Sequence, residues 1–251
     1  MTNAKFTTQQ VFAIKQHSNK FISFKISKPP QFSFKAGQFA RLALTQKDGS
    51  QIWRAYSMLN PPSTDFLEFF AIIVPGGKFS SLLTELKNGD EILLAREVFG
   101  FLTLDRFSDG QDLWLLATGT GVAPFLSILQ ETQVWQQFKR INLVYSVRYQ
   151  ADLAYQDLIQ QLQAQNSSQF TYLPIISGEN ITNMLNGRIT TLLQNNALEQ
   201  AANCALTLDN SRLMLCGNPQ MVQDCLKILK ERSFSLALRR NPGQIALENY
   251  W

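Results

Sequence analysis

Leu113-Trp114-Leu115-Leu116-Ala117-Thr118-Gly119-Thr120-Gly121-Val122-Ala123-Pro124 is the stretch that decides how this chain is read. The apolar run predicts a strand over 113–117, which breaks into a glycine-rich turn and then opens a helix. Gly119 and Gly121 permit positive φ and close backbone approach. Pro124 suits a first helical turn, where its missing N–H costs nothing. Unpaired N–H groups at such a helix start, aided by the helix dipole, attract a pyrophosphate. An ordinary βα turn has the same look, and proline stands where the common dinucleotide fingerprint has its third glycine, so both readings stay open.

Downstream, predicted strands over 141–147, 170–177 and 213–216 alternate with predicted helices over 124–138, 152–163 and 219–232. Such alternation means a parallel sheet with helices on both faces. In the last helix Met221, Val222, Cys225, Leu226 and Leu229 share one apolar face, which makes Cys225 a small core hydrophobe. The strand that ends Ser146-Val147-Arg148 bears on nucleotide choice. NAD sites usually place an acid near there, whereas an arginine suits the 2′-phosphate of NADP. Arg148, joined by Arg188 of Asn186-Gly187-Arg188, fits the second pattern, with a solvated surface role as the alternative for each. Cys216-Gly217-Asn218-Pro219 forms another strand-turn-helix start. It puts Cys216 at the edge where open α/β sheets bind ligands, although a structural cysteine fits there too.

Upstream, short β-rich runs over 21–27, around Phe39 and Arg41, over 66–74 and over 92–95 are punctuated by Pro29-Pro30, Asp48-Gly49, Pro61-Pro62, Gly76-Gly77 and Asn88-Gly89-Asp90. That spacing suggests a small antiparallel β-barrel, interrupted by one helix over 80–86 with Ser80 or Ser81 as its N-cap. The pattern changes in the polar stretch 104–111, so the expected division is a barrel domain at 1–107 and an α/β parallel-sheet domain at 108–251. Within the barrel, Arg54-Ala55-Tyr56-Ser57 offers a phosphate partner, a stacking face and a hydroxyl. Gly76-Gly77-Lys78-Phe79-Ser80-Ser81 is a further candidate phosphate cradle. Hairpin decoration explains either one alone, but explains both less well. Together with the 113–124 turn they suggest a flavin site and a pyridine-dinucleotide site, hence an electron-transferring flavoprotein.

Composition narrows the chemistry. At 251 residues the chain exceeds one average domain of about 100–200 residues. The net charge of +4 fits phosphorylated ligands or an acidic protein partner, and is too diffuse to indicate nucleic acid. The N-terminus shows no apolar signal region and nothing reads as a membrane span, so a cytoplasmic protein is expected. The cysteines Cys204, Cys216 and Cys225 match neither a zinc pattern nor an iron–sulfur set, so no metal site is expected. The single histidine, His17, lies in a polar run and is expected at the surface. With so few nucleophiles and bases, hard chemistry points to a cofactor.

With these pieces placed, the chain resembles bacterial ferredoxin (flavodoxin)–NADP+ reductases of the subclass that ends in an aromatic pair. The likeness covers nearly the whole length and is carried by Arg-Ala-Tyr-Ser (54–57), Gly-Lys-Phe-Ser (77–80), Leu-Ala-Thr-Gly-Thr-Gly (116–121), Leu-Cys-Gly-Asn-Pro-Gln-Met-Val (215–222) and the ending Glu248-Asn249-Tyr250-Trp251. The resemblance implies an FAD-binding barrel followed by an NADP-binding domain. It implies that Arg54 meets the FAD pyrophosphate, Tyr56 flanks the isoalloxazine and Ser57 bonds near N5, with Ala55, Phe70, Lys78, Phe79, Ser80 and Thr120 lining the FAD. Arg148, Ser177 and Arg188 would surround the 2′-phosphate, with Thr118, Gly119, Val147 and Asp224 in the same NADP site. Cys216, Gly217 and Asn218 would lie by the nicotinamide. Tyr250 and Trp251 would cover flavin or adenine rings, and Glu248 would assist proton or hydride positioning, so that Ser57, Cys216, Glu248 and Tyr250 form the catalytic set.

The resemblance further implies FAD and NADP(H) as cofactors, acidic ferredoxin or flavodoxin as carriers, and a monomer. One departure stands out. Many members of the family have Ser-Arg-Glu where this chain has Ser177-Gly178-Glu179. If that arginine grips the 2′-phosphate, its loss removes a charge-assisted bond, and the preference for NADPH falls by roughly 10- to 150-fold. Two alternatives stand beside the reductase: an NADH-dependent flavin oxidoreductase, motivated by Gly178, and a flavin-binding redox-sensing module without turnover, motivated by the lack of a single standout catalytic acid or nucleophile.

Overall fold

The computed structural model describes residues 5–238 and 240–250. Two six-stranded sheets organise the chain. The first is antiparallel, with strands β1 (Phe6–Gln16), β2 (Phe21–Ser27), β3 (Phe39–Thr45), β4 (Gln51–Ser57), β5 (Phe66–Ile72) and, after the helix α1 (Lys78–Glu85), β6 (Glu91–Phe99). Their order is β4-β3-β6-β1-β2-β5. The outer strands meet where Met58 bridges Phe69 and the Leu59 N–H donates to the Glu68 carbonyl at 2.8 Å. Closure of this kind makes the expected barrel and removes the sheet's free edges over that stretch. Its interior is filled by Phe24, Ile26, Leu42, Leu67, Phe69 and Leu94.

The second sheet holds β7 (Asp112–Thr118), β8 (Arg140–Val147), β9 (Phe170–Ile176), β10 (Leu185–Asn186), β11 (Ser211–Gly217) and β12 (Ile245–Asn249), all parallel, in the order β10-β9-β8-β7-β11-β12. Helices α2 (Ala123–Leu129), α3 (Thr132–Gln137), α4 (Gln156–Gln165), α5 (Ile189–Gln194), α6 (Ala197–Ala202) and α7 (Pro219–Glu231) cover its two faces. Strand periodicity sorts the central side chains. Leu113, Leu115 and Ala117 of β7 enter the core shared with α2 and α4, while Trp114 and Leu116 enter the core shared with α5, α6 and α7. The first of these cores also takes in Phe21, Leu59 and Phe70 of the barrel, so the two sheets are joined by continuous apolar packing. Among the described residues no helix is long and apolar enough to cross a membrane.

Three helices differ from their predicted spans. The helix over 124–138 is interrupted: Glu131 is extended, Gln130 turns its side-chain amide onto the Leu126 and Leu59 carbonyls, and Trp135 Nε1 donates to the Leu129 carbonyl. The Trp135 side chain thus satisfies the Leu129 carbonyl, which a continuous helix would have bonded through its own backbone. The helix over 152–163 begins four residues late, because Asp152 accepts a bond from Ser18 Oγ at 2.8 Å and Tyr155 sits at φ 58°. The helix over 80–86 starts at Lys78 with Gly77 as its cap, and Ser80 is used to accept the Val74 N–H at 3.0 Å. His17 is no loose surface residue. It is half-buried between the domains, bonded to Ser23 Oγ at 2.8 Å and set against Phe70 and Tyr155.

Candidate functional site

The second sheet reverses its strand order at β7, with β8 on one side and β11 on the other. Ligands of open α/β sheets bind in the crevice beyond the carboxyl ends of such strands. Here the barrel faces that crevice, and a cleft of about 350 Å³ runs between the domains. From the barrel it is lined by Phe39, Arg54, Ala55, Tyr56, Ser57, Ile72, Val74, Gly77, Lys78, Phe79 and Ser80. From the other side come Thr120, Glu248, Asn249 and Tyr250.

The barrel wall has two parts with different chemistry. Strand β4 is the last in its sheet, so the edge opposite β3 leaves Arg54 to Ser57 facing the cleft. The Tyr56 ring lies 5.5 Å from that of Phe79 and meets Phe24 edge-on at 6.4 Å. Burial pushes its hydroxyl well above the ordinary tyrosine range, so it stays neutral. With Ile72 and Val74 this makes an apolar wall suited to a planar ring. The start of α1 is the second part. It has no side-chain cap and no acid in its first turn, and Lys78 stands there with the exposed Arg54 beside the same cleft. Open N–H groups, a helix dipole and two cations form an anion site. A flat apolar wall beside an anion site fits a flavin dinucleotide.

The opposing wall is built from two interlocked turns. A Cβ on Gly121 would stand 2.4 Å from the Cys216 carbonyl oxygen. At Gly217, φ is 131° and a Cβ would stand 2.2 Å from Thr118 Oγ1, so position 217 requires glycine on both counts. Thr118 Oγ1 accepts the Asn218 N–H at 2.8 Å. Asn218 Oδ1 caps α7, accepting from the Gln220 and Met221 N–H groups at 2.9 and 3.2 Å. Gly119 has φ 54° and borders the ring of Phe21. Asp224, expected in the nucleotide site, lies further along α7 and accepts from Gln220 Nε2 at 2.8 Å.

The chain end completes the cleft. Glu248 is in register with Cys216 on the neighbouring strand, and burial raises its carboxyl to about 7. Cys216 is fully buried, and burial together with the Glu248 charge pushes its thiol well above the ordinary range. The Tyr250 N–H donates to the Gly217 carbonyl at 3.0 Å, and its hydroxyl crosses the cleft to donate to Ser57 Oγ. Burial, then the Cys216 and Glu248 charges, hold the Tyr250 hydroxyl protonated.

A further group lies at the carboxyl ends of β8, β9 and β10. Val147 is buried, and Ser177 Oγ donates to its carbonyl at 3.1 Å. Arg148 and Arg188 are exposed, and neither has a carboxylate partner among the described residues. Not every expected residue reaches a site. Phe70 is 2 % exposed and packs on Phe21, His17 and Tyr155 in the core; Ile72 of the same strand lines the cleft instead. Trp251 lies outside the described residues. Gly77, part of the predicted phosphate cradle, lines the cleft as expected, whereas Phe39, Ile72, Val74 and Asn249 were missed by sequence reasoning, although Val74 closes a predicted strand directly before the Pro-Gly-Gly turn.

Two family models match the chain: an oxidoreductase FAD-binding domain over residues 9–95 and an oxidoreductase NAD-binding domain over 115–227. The chain is 42% identical over 227 residues to a flavodoxin/ferredoxin–NADP reductase of Buchnera aphidicola, covering 87% of this chain and 88% of that one. It is 39% identical over 249 residues to the flavodoxin/ferredoxin–NADP reductase of Escherichia coli, covering 99% and 100%. A crystal structure of a ferredoxin NADP+ reductase from Neisseria gonorrhoeae with bound FAD and NADP matches with a TM-score of 0.94 at 40% identity, over 99% of this chain and 100% of that one.

Proposed function

The chain belongs to the flavodoxin/ferredoxin–NADP reductase family, and from that premise we propose that it exchanges electrons between NADPH and a ferredoxin or flavodoxin through FAD held in the interdomain cleft. The observation that carries this reading is the pairing of Arg54-Ala55-Tyr56-Ser57 and the start of α1 with Thr120, Glu248 and Tyr250 across one cleft. When bound, FAD supplies an acceptor for a two-electron hydride whose electrons can leave singly.

The chain's own residues hold, orient and shield. Arg54, Lys78 and the open N–H groups of α1 take the pyrophosphate. Tyr56 and Tyr250 cover the ring system, and Ser57 presents its hydroxyl beside it. Cys216 and Gly217 shape the floor on which a nicotinamide rests, and Gly217 lets the backbone come close. Glu248, with its carboxyl near 7, is the group able to hold or release a proton there at physiological pH. Arg148, Ser177 and Arg188 take the 2′-phosphate of the nucleotide. Aligning the two rings in one interdomain cleft is the protein's main catalytic contribution.

Anaerobic titration with NADPH tests the proposal. The flavin absorbance band should bleach at one equivalent of nucleotide, and reduced ferredoxin or flavodoxin should appear when carrier is added. A flavin spectrum unmoved by NADPH would refute it.

A further inference from the structure

We propose that Gly178 is the positioning residue that seats Arg148 for the 2′-phosphate of the nucleotide; this rests on the reading of Arg148 given above. Past the last paired residues of the β8–β9 ladder, Val147 and Ile176, the two chains stay side by side. The Ser177 N–H donates to the Val147 carbonyl at 3.0 Å, and the Gly178 N–H to the Arg148 carbonyl at 2.7 Å. Gly178 does not have a left-handed φ, so its backbone conformation is open to any residue. What requires glycine is space. A Cβ at 178 would stand 2.6 Å from Arg148 Cγ, 2.7 Å from the Arg148 carbonyl oxygen and 3.3 Å from Tyr149 Cε1.

The Arg148 stem thus lies across a bare Cα, and its guanidinium carbon stands 5.5 Å from the centroid of the Tyr149 ring. A stem held between backbone and ring has lost rotamer freedom before any ligand arrives, so less remains to be lost on binding. The arginine is also rigid where it matters, since its fork is preset for a phosphate. A side chain at 178 meets both the Arg148 stem and the Arg148 carbonyl oxygen at under 3.0 Å, so the stem must leave its seat and the backbone pairing of 178 with 148 must shift with it. Glycine at 178 therefore does more than leave out a cation: it assigns the phosphate to Arg148.

The test uses the full chain loaded with FAD, with flavin content as the check on folding. Dissociation constants for 2′-phospho-AMP and for AMP are measured in the wild type, Gly178→Ala, Arg148→Ala and the double variant. Gly178→Ala should weaken 2′-phospho-AMP by about 3- to 10-fold, leave AMP unchanged, and have no further effect once Arg148 is alanine. If Gly178→Ala leaves 2′-phospho-AMP binding intact while Arg148→Ala weakens it, the seating role is overturned and the phosphate role of Arg148 stands. The seating role is also overturned if Gly178→Ala weakens both ligands equally, or acts as strongly without Arg148 as with it. If Arg148→Ala does not distinguish the two ligands, the underlying reading of the phosphate site fails as well.

Discussion

Replacing Glu248 by glutamine should change how stability depends on pH, by an amount set by the burial of the carboxyl. In the folded chain this group titrates near 7 against an ordinary 4.5, and desolvation is the cause. A carboxyl whose folded value is raised keeps its proton in the folded state at pH values where the unfolded chain has released it. The unfolded state then binds fewer protons, and stability falls as pH rises. The fall begins near 4.5, ends near 7 and is flat above. A gap of about 2.5 units at about 1.4 kcal/mol per unit amounts to roughly 3 kcal/mol. Glutamine has nearly the same shape and no proton to lose. Urea midpoints of wild type and Glu248→Gln, measured with equal added FAD from pH 4.5 to 8, should therefore diverge progressively up to pH 7. The variant becomes the more stable by about 3 kcal/mol, a difference of about 1 M or more in urea. Parallel curves across that range would refute the reasoning, because they would mean that the carboxyl stays solvated.

Arg54→Ala should weaken FAD by about 10- to 150-fold, the loss of one charge-assisted contact to the pyrophosphate; a flavin dissociation constant unchanged by the substitution would remove Arg54 from the site. Asn218→Ala deletes the cap of α7 and should cost about 1 kcal/mol of stability, read from denaturation curves, while Asn218→Asp should retain most of it. Glu68 accepts the Tyr155 hydroxyl at 2.8 Å and lies 3.7 Å from Lys25 Nζ. Glu68→Ala should therefore cost about 1–3 kcal/mol, and Glu68→Gln, which keeps an acceptor, clearly less; equal losses would show that packing outweighs the bond.

Much of the fold is written in short-range pattern, and what escapes the pattern has a local reason. β7 is legible because its alternate residues fill two different cores. The turn after it is legible because glycine is required where backbones nearly touch, and Gly121 and Gly217 meet that requirement. β1 escapes notice although it lies inside the barrel sheet between β6 and β2. One of its buried positions is Gln9, whose amide donates to Thr7 Oγ1 and accepts from Ser27 Oγ, so a satisfied polar side chain stands where periodicity expects an apolar one. The site divides the same way. Arg54 to Ser57, Gly77 to Ser80 and the Cys216–Asn218 turn are contiguous motifs. The interdomain bonds of Ser18 to Asp152 and of Tyr155 to Glu68 join residues far apart in the chain, and no local signal marks them. Phe70 was misplaced for that reason, since its partners His17 and Tyr155 come from both sides of the seam.

That seam opposes the trend set by Glu248. His17 is held at about 4, below its ordinary 6.5, by burial first and then by the Lys15 charge. A histidine with a lowered folded value binds its proton more readily in the unfolded chain. Its contribution to stability is therefore complete above about 6.5 and is lost as pH falls towards 4. Between about 4.5 and 6.5 the unfolded state gains one proton through His17 and forgoes one through Glu248, so the two slopes nearly cancel. Wild-type stability should be insensitive to these two groups in that window, and each single variant should unmask the other. Glu248→Gln leaves a curve that rises with pH. His17→Phe, which keeps an aromatic ring against Phe70 and Tyr155, leaves one that falls. The double variant should be flat again. The same slope in all four proteins would mean that neither group is desolvated, and that the seam and the cleft are both open to water.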